Sequence, residues 1–219
     1  MTSRTYFFLF LVMETALLGV FTALNFVHWF VYWEAGLVPA FFLIKIWGNE
    51  ERNYAAIKFF LYTFVGSITM FLAFQAMYLA TGKWNFDELA ALGQSGELTK
   101  ALGALAAKIG LNWPAACCAY MAFLGVLLGF AGKVPIWPLH TWLPDAYTQA
   151  PTATSMVLTG VLSKMGVYGF LRILLPIFPT EMSASSGWLA ILVLITIVFG
   201  ALAGIYQKDI KRMLSYSSI

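Results

Sequence analysis

The sequence predicts an all-α integral membrane protein with about six transmembrane helices, one of them broken, and three observations predict it. Hydrophobic residues make up 61% of the 219-residue chain and charged residues only 11%. An average soluble domain carries about 25% charged residues, so the apolar surplus must face something other than water. The apolar residues also fall in runs that reach the roughly 20 residues a spanning helix needs. Finally, the runs are continuous and do not alternate with polar residues as barrel strands do. Backbone groups in hydrocarbon must be satisfied within each segment, which makes these runs helices.

The runs lie at 5–24, 26–47, 55–80, 114–146, 152–178 and 186–206, and no linker separates them, so 1–219 reads as a single membrane domain. The first run follows Arg4 directly and passes through Leu24 and Asn25 into the next. It has no small-residue cleavage site and reads as a span, not as a removable signal peptide. The one long polar stretch is 81–113. Within it Leu98, Leu102, Leu105 and Ile109 recur at helical spacing. That pattern fits a short amphipathic helix on the membrane surface, and it equally fits a plain loop with its apolar residues tucked into the protein.

Orientation follows from basic residues between spans. With the N-terminus inside, Arg4, Arg52, Lys58, Lys208, Lys211 and Arg212 fall on the inner side, against Lys83, Lys100 and Lys108 outside. The bias favours a cytoplasmic N-terminus. A net charge of +3, scattered along the chain, does not make the basic patch that nucleic acid requires. The lipid bilayer is the partner the composition implies. Cys117 and Cys118 are adjacent in an apolar run and lack the spacing of a metal site or the geometry of a bridge; they read as small lipid- or core-facing residues.

Ionisable residues inside the spans carry the functional signal. A charge near the bilayer centre costs about 2.5–3.5 kcal/mol on insertion scales, so each is a candidate site. Glu34 lies mid-span in Val31-Tyr-Trp-Glu34-Ala-Gly-Leu-Val-Pro39, with no basic residue one turn away. Its partner must therefore come from another helix. Pro39 has no amide hydrogen and frees the carbonyl of Ala35, opening the helix just past the carboxylate. A neutral Glu34 hydrogen-bonded to a neighbouring helix is the structural alternative.

Lys133 lies in Gly132-Lys133-Val-Pro135-Ile-Trp-Pro138-Leu-His140-Thr-Trp-Leu-Pro144-Asp145. Pro135, Pro138 and Pro144 do not fit one undisturbed helix, so the segment breaks beside Lys133. Broken helices at mid-membrane are where transporters place ions. Burial favours the neutral amine and a nearby carboxylate favours the ammonium, so a conformational change that alters either loads or releases one proton. Lys164 is a second lysine in an apolar helix. His140, whose imidazole titrates near neutral pH, follows the break as a candidate relay or as a hydrogen-bonded structural histidine. Glu14, inside the first span, is a further candidate for the same network. Lys45, Asp145 and Arg172 sit nearer span ends, where snorkelling explains them. No Walker loop, dinucleotide fingerprint, cysteine cluster or haem motif is present, so no cofactor is expected in this chain and its task reads as moving charge.

Val31–Pro39, Ile46-Trp-Gly, Tyr54-Ala-Ala-Ile-Lys58-Phe-Phe-Leu-Tyr, the stretch Lys133–Ala153 and Gln207-Lys-Asp-Ile-Lys211-Arg-Met-Leu-Ser-Tyr-Ser together resemble the antiporter-like subunits of respiratory complex I, of the NADH-quinone oxidoreductase M or chain 4 type. Pro138-Leu-His-Thr-Trp-Leu-Pro-Asp-Ala is the most specific part and is shared with cation/proton antiporters and membrane hydrogenases. The resemblance implies that Glu34 is the glutamate paired with a pumping lysine, Lys133 that lysine on the broken helix, Lys164 the next along a hydrophilic axis, and His140 a histidine near the same path. It implies proton translocation driven by quinone reduction elsewhere in a complex. NADH, flavin, iron–sulfur clusters and quinone would then belong to partner subunits. The family's fold has about fourteen helices in two inverted five-helix repeats. This chain is expected to be a fragment holding the first repeat and the beginning of the second. An energy-coupling membrane is implied, the bacterial inner membrane first, organelle inner or thylakoid membranes next. The alternative is a subunit of a multisubunit cation/proton antiporter without a redox module; a third reading is a scaffold that only holds its neighbours.

Overall fold

The structure is a computed structural model, and it describes residues 3–219. Its helices are α1 (Ser3–Thr22), α2 (Phe26–Ala35), α3 (Leu37–Trp47), α4 (Arg52–Thr81), α5 (Phe86–Gln94), α6 (Glu97–Lys108), α7 (Ala115–Lys133), α8 (Trp142–Gln149), α9 (Thr152–Val157), α10 (Ser163–Gly169), α11 (Leu175–Ile177), α12 (Pro179–Ile205) and α13 (Ile210–Tyr216). Six helical stretches among the described residues are long and apolar enough to cross a membrane: α1, Phe26–Trp47, α4, α7, Thr152–Ile177 and α12. Each overlaps one of the six apolar runs, although the fourth helix stops at Lys133, well short of 146, and the sixth begins earlier, at Pro179. The protein is an integral membrane protein.

Local chemistry sets the boundaries. Asn25 caps α2, its side chain accepting from Val27 N at 2.9 Å, as expected of a short polar residue at an N-cap. Gly82, at φ +70°, ends α4, because only glycine adopts the left-handed region without strain. Asp209 caps α13 by accepting from Lys211 N at 3.1 Å. This last helix had no counterpart among the expected spans. Two interruptions were also not legible: π-helical turns at Leu158–Leu162 and Phe170–Leu174 lie within the span Thr152–Ile177. Such turns are frequent at functional sites.

The stretch 81–113 forms two helices, α5 and α6, so the plain-loop expectation gives way. The helix and the tucked-in apolar residues are both present: Leu98 and Leu102 are buried, while Ile109 is exposed. α6 lies against α4 and α7. At the first turn of α5, the Lys83 ammonium 2.9 Å from Glu88 and the Asn85 amide hold the Glu88 carboxyl below its ordinary range.

Chain turns pair off at two ends of the bundle. At one end Phe86 N donates to Leu24 O at 3.1 Å and Phe26 N to Trp84 O at 3.0 Å. At the other, Asn49 N donates to Gln149 O at 2.9 Å and Lys211 Nζ to Ala150 O at 3.1 Å. Successive spans therefore run antiparallel, as an even alternation across a membrane requires.

The most extensive helix pair is α4 with α7. Gly66 of α4 faces Gly129 and Gly132 of α7 across the seam, and Gly125 of α7 faces Thr69 and Ala73. A Cβ on Gly129 would collide with Met70 Cβ and lie 3.1 Å from Gly66 O. Without a hydrophobic drive inside lipid, small residues and close packing are what join helices. Thr69 adds a hydrogen bond across the seam, donating to Gly125 O at 3.1 Å. Gly129→Val is therefore expected to cost on the order of 1–3 kcal/mol in packing strain. It should appear as reduced assembly in detergent-solubilised membranes; wild-type assembly and thermal stability would contradict the seam.

α12 buries little besides Ser185, Leu189, Thr196, Gly200 and Gly204, and Ile191, Leu194, Ile197 and Leu202 stay exposed. Such a face suits lipid or further membrane segments.

Candidate functional site: a buried lysine at a helix break

The break lies where the prolines place it. α7 ends at Lys133, 134–141 is irregular, and α8 resumes at Trp142. Pro135 and Pro138 fall in the unwound stretch, and the Trp137–Pro138 peptide is cis. Pro144 sits instead in the first turn of α8, where a missing amide costs nothing.

Irregular backbone inside a membrane must be satisfied by its surroundings. Trp142 Nε1 donates to Gly132 O at 2.9 Å, and Trp137 N donates to Thr196 Oγ1 of α12 at 2.9 Å. Thr141 Oγ1 donates to Tyr62 OH of α4 at 3.0 Å. Three different helices thus pin the opening.

Lys133 is fully buried. Its Nζ donates to Trp33 O at 2.9 Å and lies 3.7 Å from the centroid of the Trp33 ring. A hydrogen bond from a charged group contributes about 1.5–3 kcal/mol, and a desolvated cation–π contact about 2 kcal/mol. As the last residue of α7, Lys133 also sits at the negative end of that helix, which adds up to ~2 kcal/mol in a buried geometry. Burying the ion costs several kcal/mol, so these hosts together are of the size needed to offset it.

Glu34 follows Trp33 in α2 and is half-buried. Its charge acts on Lys133, yet no ion pair joins them among the described residues. Glu34 Oε1 is buried without a hydrogen-bond partner. The carbonyl that Lys133 meets is Trp33 O, three residues before the single-residue interruption at Gly36 that separates α2 from α3.

His140 is buried, with Nδ1 lacking a partner and its ring edge-on to Phe199 at 4.9 Å between centroids. Lys58 is the charged group acting on it. Lys58 Nζ lies 2.7 Å from Asp145 Oδ2, and Arg212 3.6 Å from Asp145 Oδ1. Asp145 is therefore no snorkelling residue: it ties α8 to α4 and α13. Arg172 likewise pairs with Asp87 of α5 at 3.3 Å. Lys45 does behave as a span-end residue, resting over the Phe41 ring at 5.2 Å.

The structure brings together Glu34 and Lys133, with His140 on the unwound stretch beyond. It does not bring Lys164 to them. Lys164 follows the first π-helical turn and is exposed; Gly166 and Gly169 instead face α7, against Val134 and Phe130. Glu14 is exposed on α1, lining a cavity of about 290 Å³ with Met13, Leu17, Val157 and Val161. Cys117 is exposed and Cys118 half-buried, both as free thiols.

Two contributors escaped the sequence reading. The inner-side orientation signal at Lys58 conceals its role; its place as the fourth residue of the apolar run 55–80 is the clue to a part-buried partner. Trp33 is one aromatic among many in the sequence. Its position next to the mid-span glutamate was the only signal, and a weak one.

Residues 23–219 match the family model described as NADH:quinone oxidoreductase/Mrp antiporter, TM. NADH-quinone oxidoreductase subunit M of Rhodobacter capsulatus is 43% identical over 216 residues, covering 99% of this chain and 41% of that protein. F(420)H(2) dehydrogenase subunit M of Methanosarcina mazei is 40% identical, covering 96% of this chain and 40% of that protein. Among solved structures, a chain of respiratory complex I from Thermus thermophilus with bound NADH superposes with a TM-score of 0.79 at 31% identity, over 99% of this chain and 43% of that one. The chain thus spans about two fifths of the length of these relatives. Its helices correspond to the first half of their fold.

Proposed function

Because the chain belongs to the NADH:quinone oxidoreductase/Mrp antiporter transmembrane family, we propose that it carries one buried proton-transfer site of a membrane-embedded quinone-reducing complex. The observation that supports this most is the fully buried Lys133 at a helix break, with an unpartnered Glu34 carboxylate oxygen close by. In this reading Lys133 is the proton carrier and Glu34 the acid that tunes it. His140 accepts or supplies the proton from the unwound stretch, and Lys164 continues the path toward segments outside this chain. NADH or a related donor, flavin, iron–sulfur clusters and quinone belong to partner subunits, with other membrane subunits as neighbours. The chain sits in an energy-coupling membrane, the bacterial inner membrane.

The test uses inverted membrane vesicles holding the assembled complex with the full-length parent chain. NADH-driven proton uptake is expected to persist without sodium and to fall at least about tenfold in Glu34→Gln, a modest share of what a positioned proton-transfer group contributes. Uptake that requires sodium and no electron donor would instead point to a cation/proton antiporter. Unchanged uptake in Glu34→Gln would contradict the role given to that residue.

A further inference from the structure

We propose that Trp33 is a positioning residue: it is the resting host of the Lys133 ammonium and holds it apart from Glu34 until the site is called on. The inference rests on the proton-transfer reading of Lys133 and adds a residue that reading does not contain. A buried lysine and a nearby half-buried glutamate are expected to close into an ion pair, since a desolvated charge seeks its opposite. Here they do not. The ammonium is bonded to the Trp33 carbonyl and stacked on the Trp33 ring, while Glu34 Oε1 stays unpartnered.

The ring is held as a fixed platform. Its Nε1 donates to Ser67 Oγ of α4 at 3.0 Å, and Ser67 is itself fixed by donating to Thr63 O at 2.9 Å. Trp29 stacks on it with centroids 4.6 Å apart, and Phe130 of α7 meets it edge-on at 5.8 Å. All three aromatic side chains are fully buried. The indole therefore cannot tilt away without breaking a hydrogen bond and two ring contacts.

Geometry explains why this matters. A closed Lys–Glu pair is a deep electrostatic trap in a low-dielectric interior, and a trapped ammonium releases its proton slowly. A neutral host holds the same cation more weakly and leaves the carboxylate free to receive it. Trp33 and Glu34 are consecutive in α2, and Lys133 stands at the edge of the unwound stretch. A shift of the break then moves the ammonium between two neighbouring hosts.

The experiment places tryptophans of increasing fluorination at position 33 by site-specific incorporation, in the full-length parent within the assembled complex. Fluorination drains the negative face of the indole while leaving its shape nearly unchanged, so packing stays constant as the cation–π contact weakens. Proton uptake per quinone reduced is expected to fall stepwise along the series, on the order of tenfold by its end. Trp33→Phe should lie between wild type and Trp33→Leu. A flat series at unchanged assembly overturns the proposal. A cryo-electron-microscopy structure of Trp33→Leu supplies the second readout: Lys133 Nζ is expected at ion-pair distance from the Glu34 carboxylate, and Nζ left on the carbonyl of residue 33 overturns the hosting role. Lost uptake in Lys133→Ala beside a flat series defeats Trp33 alone. Normal uptake in Lys133→Ala defeats the proton-transfer reading, and the position of Nζ still decides the hosting.

Discussion

Lys133→Arg is expected to leave the chain inserted and the complex assembled while cutting proton uptake at least about tenfold. Charge is conserved in this variant, so a purely electrostatic or structural role would survive it. Proton release does not survive, because a guanidinium keeps its proton at any pH the membrane meets. The larger planar head also has to fit where Nζ now lies 2.9 Å from Trp33 O and 3.7 Å from the ring centroid. Guanidinium groups stack well on aromatic faces, so the Trp33 platform accepts it and folding is kept. Positioned acid–base groups commonly contribute 10²–10⁴ in rate, which sets the tenfold figure as a lower bound. Uptake within twofold of wild type in the arginine variant would remove Lys133 from the path. Quinone reduction recorded on the same vesicles separates loss of coupling from loss of the enzyme.

Asp145→Asn is expected to loosen the second half of the broken helix. The carboxylate holds Lys58 at 2.7 Å and Arg212 at 3.6 Å, with its own side chain about one fifth exposed. Asparagine keeps the shape and loses the charge, leaving Lys58 half-buried with its opposite gone. Hydrogen bonds to charged groups contribute about 1.5–3 kcal/mol, and partial exposure places this one toward the lower end. Amide exchange across Trp142–Gln149 and Ile210–Tyr216 should rise several-fold, while α1 stays as in wild type. The pairing Lys58→Met with Asp145→Leu is expected to restore most of the protection, since it removes both charges of the closer, part-buried pair and leaves only the exposed Arg212 without its carboxylate. Equal exchange in wild type and Asp145→Asn would show that α8 is held by packing alone.

The number of spans and the break at Lys133 were legible in the sequence, because they follow from covalent and solvation rules. Apolar run length sets the spans, and Pro135 and Pro138 have no amide hydrogen in any context. The mid-span glutamate and lysine were legible for the same reason: their cost in hydrocarbon does not depend on the fold. What escaped is what depends on packing. The π-helical turns in Thr152–Ile177 contain no proline, and Gly160 in the first of them does not by itself mark a change of helix type. The exposure of Lys164 depends on which face Gly166 and Gly169 turn to α7, and periodicity in an apolar helix cannot rank its faces. Asp145 looked like a span-end residue because its partners Lys58 and Arg212 lie 87 and 67 positions away. Trp33 as the host of Lys133 needed the three-dimensional neighbourhood, since the natural sequence-level partner was the glutamate beside it.

One measurement bears most directly on the claim that Lys133 carries the proton: proton uptake and quinone reduction recorded together, on the same vesicles, for wild type and Lys133→Ala in the assembled complex. The account predicts that uptake falls to near background and that quinone reduction falls with it while assembly stays intact. Wild-type rates of both uptake and quinone reduction in Lys133→Ala would contradict it and leave the buried lysine a structural group.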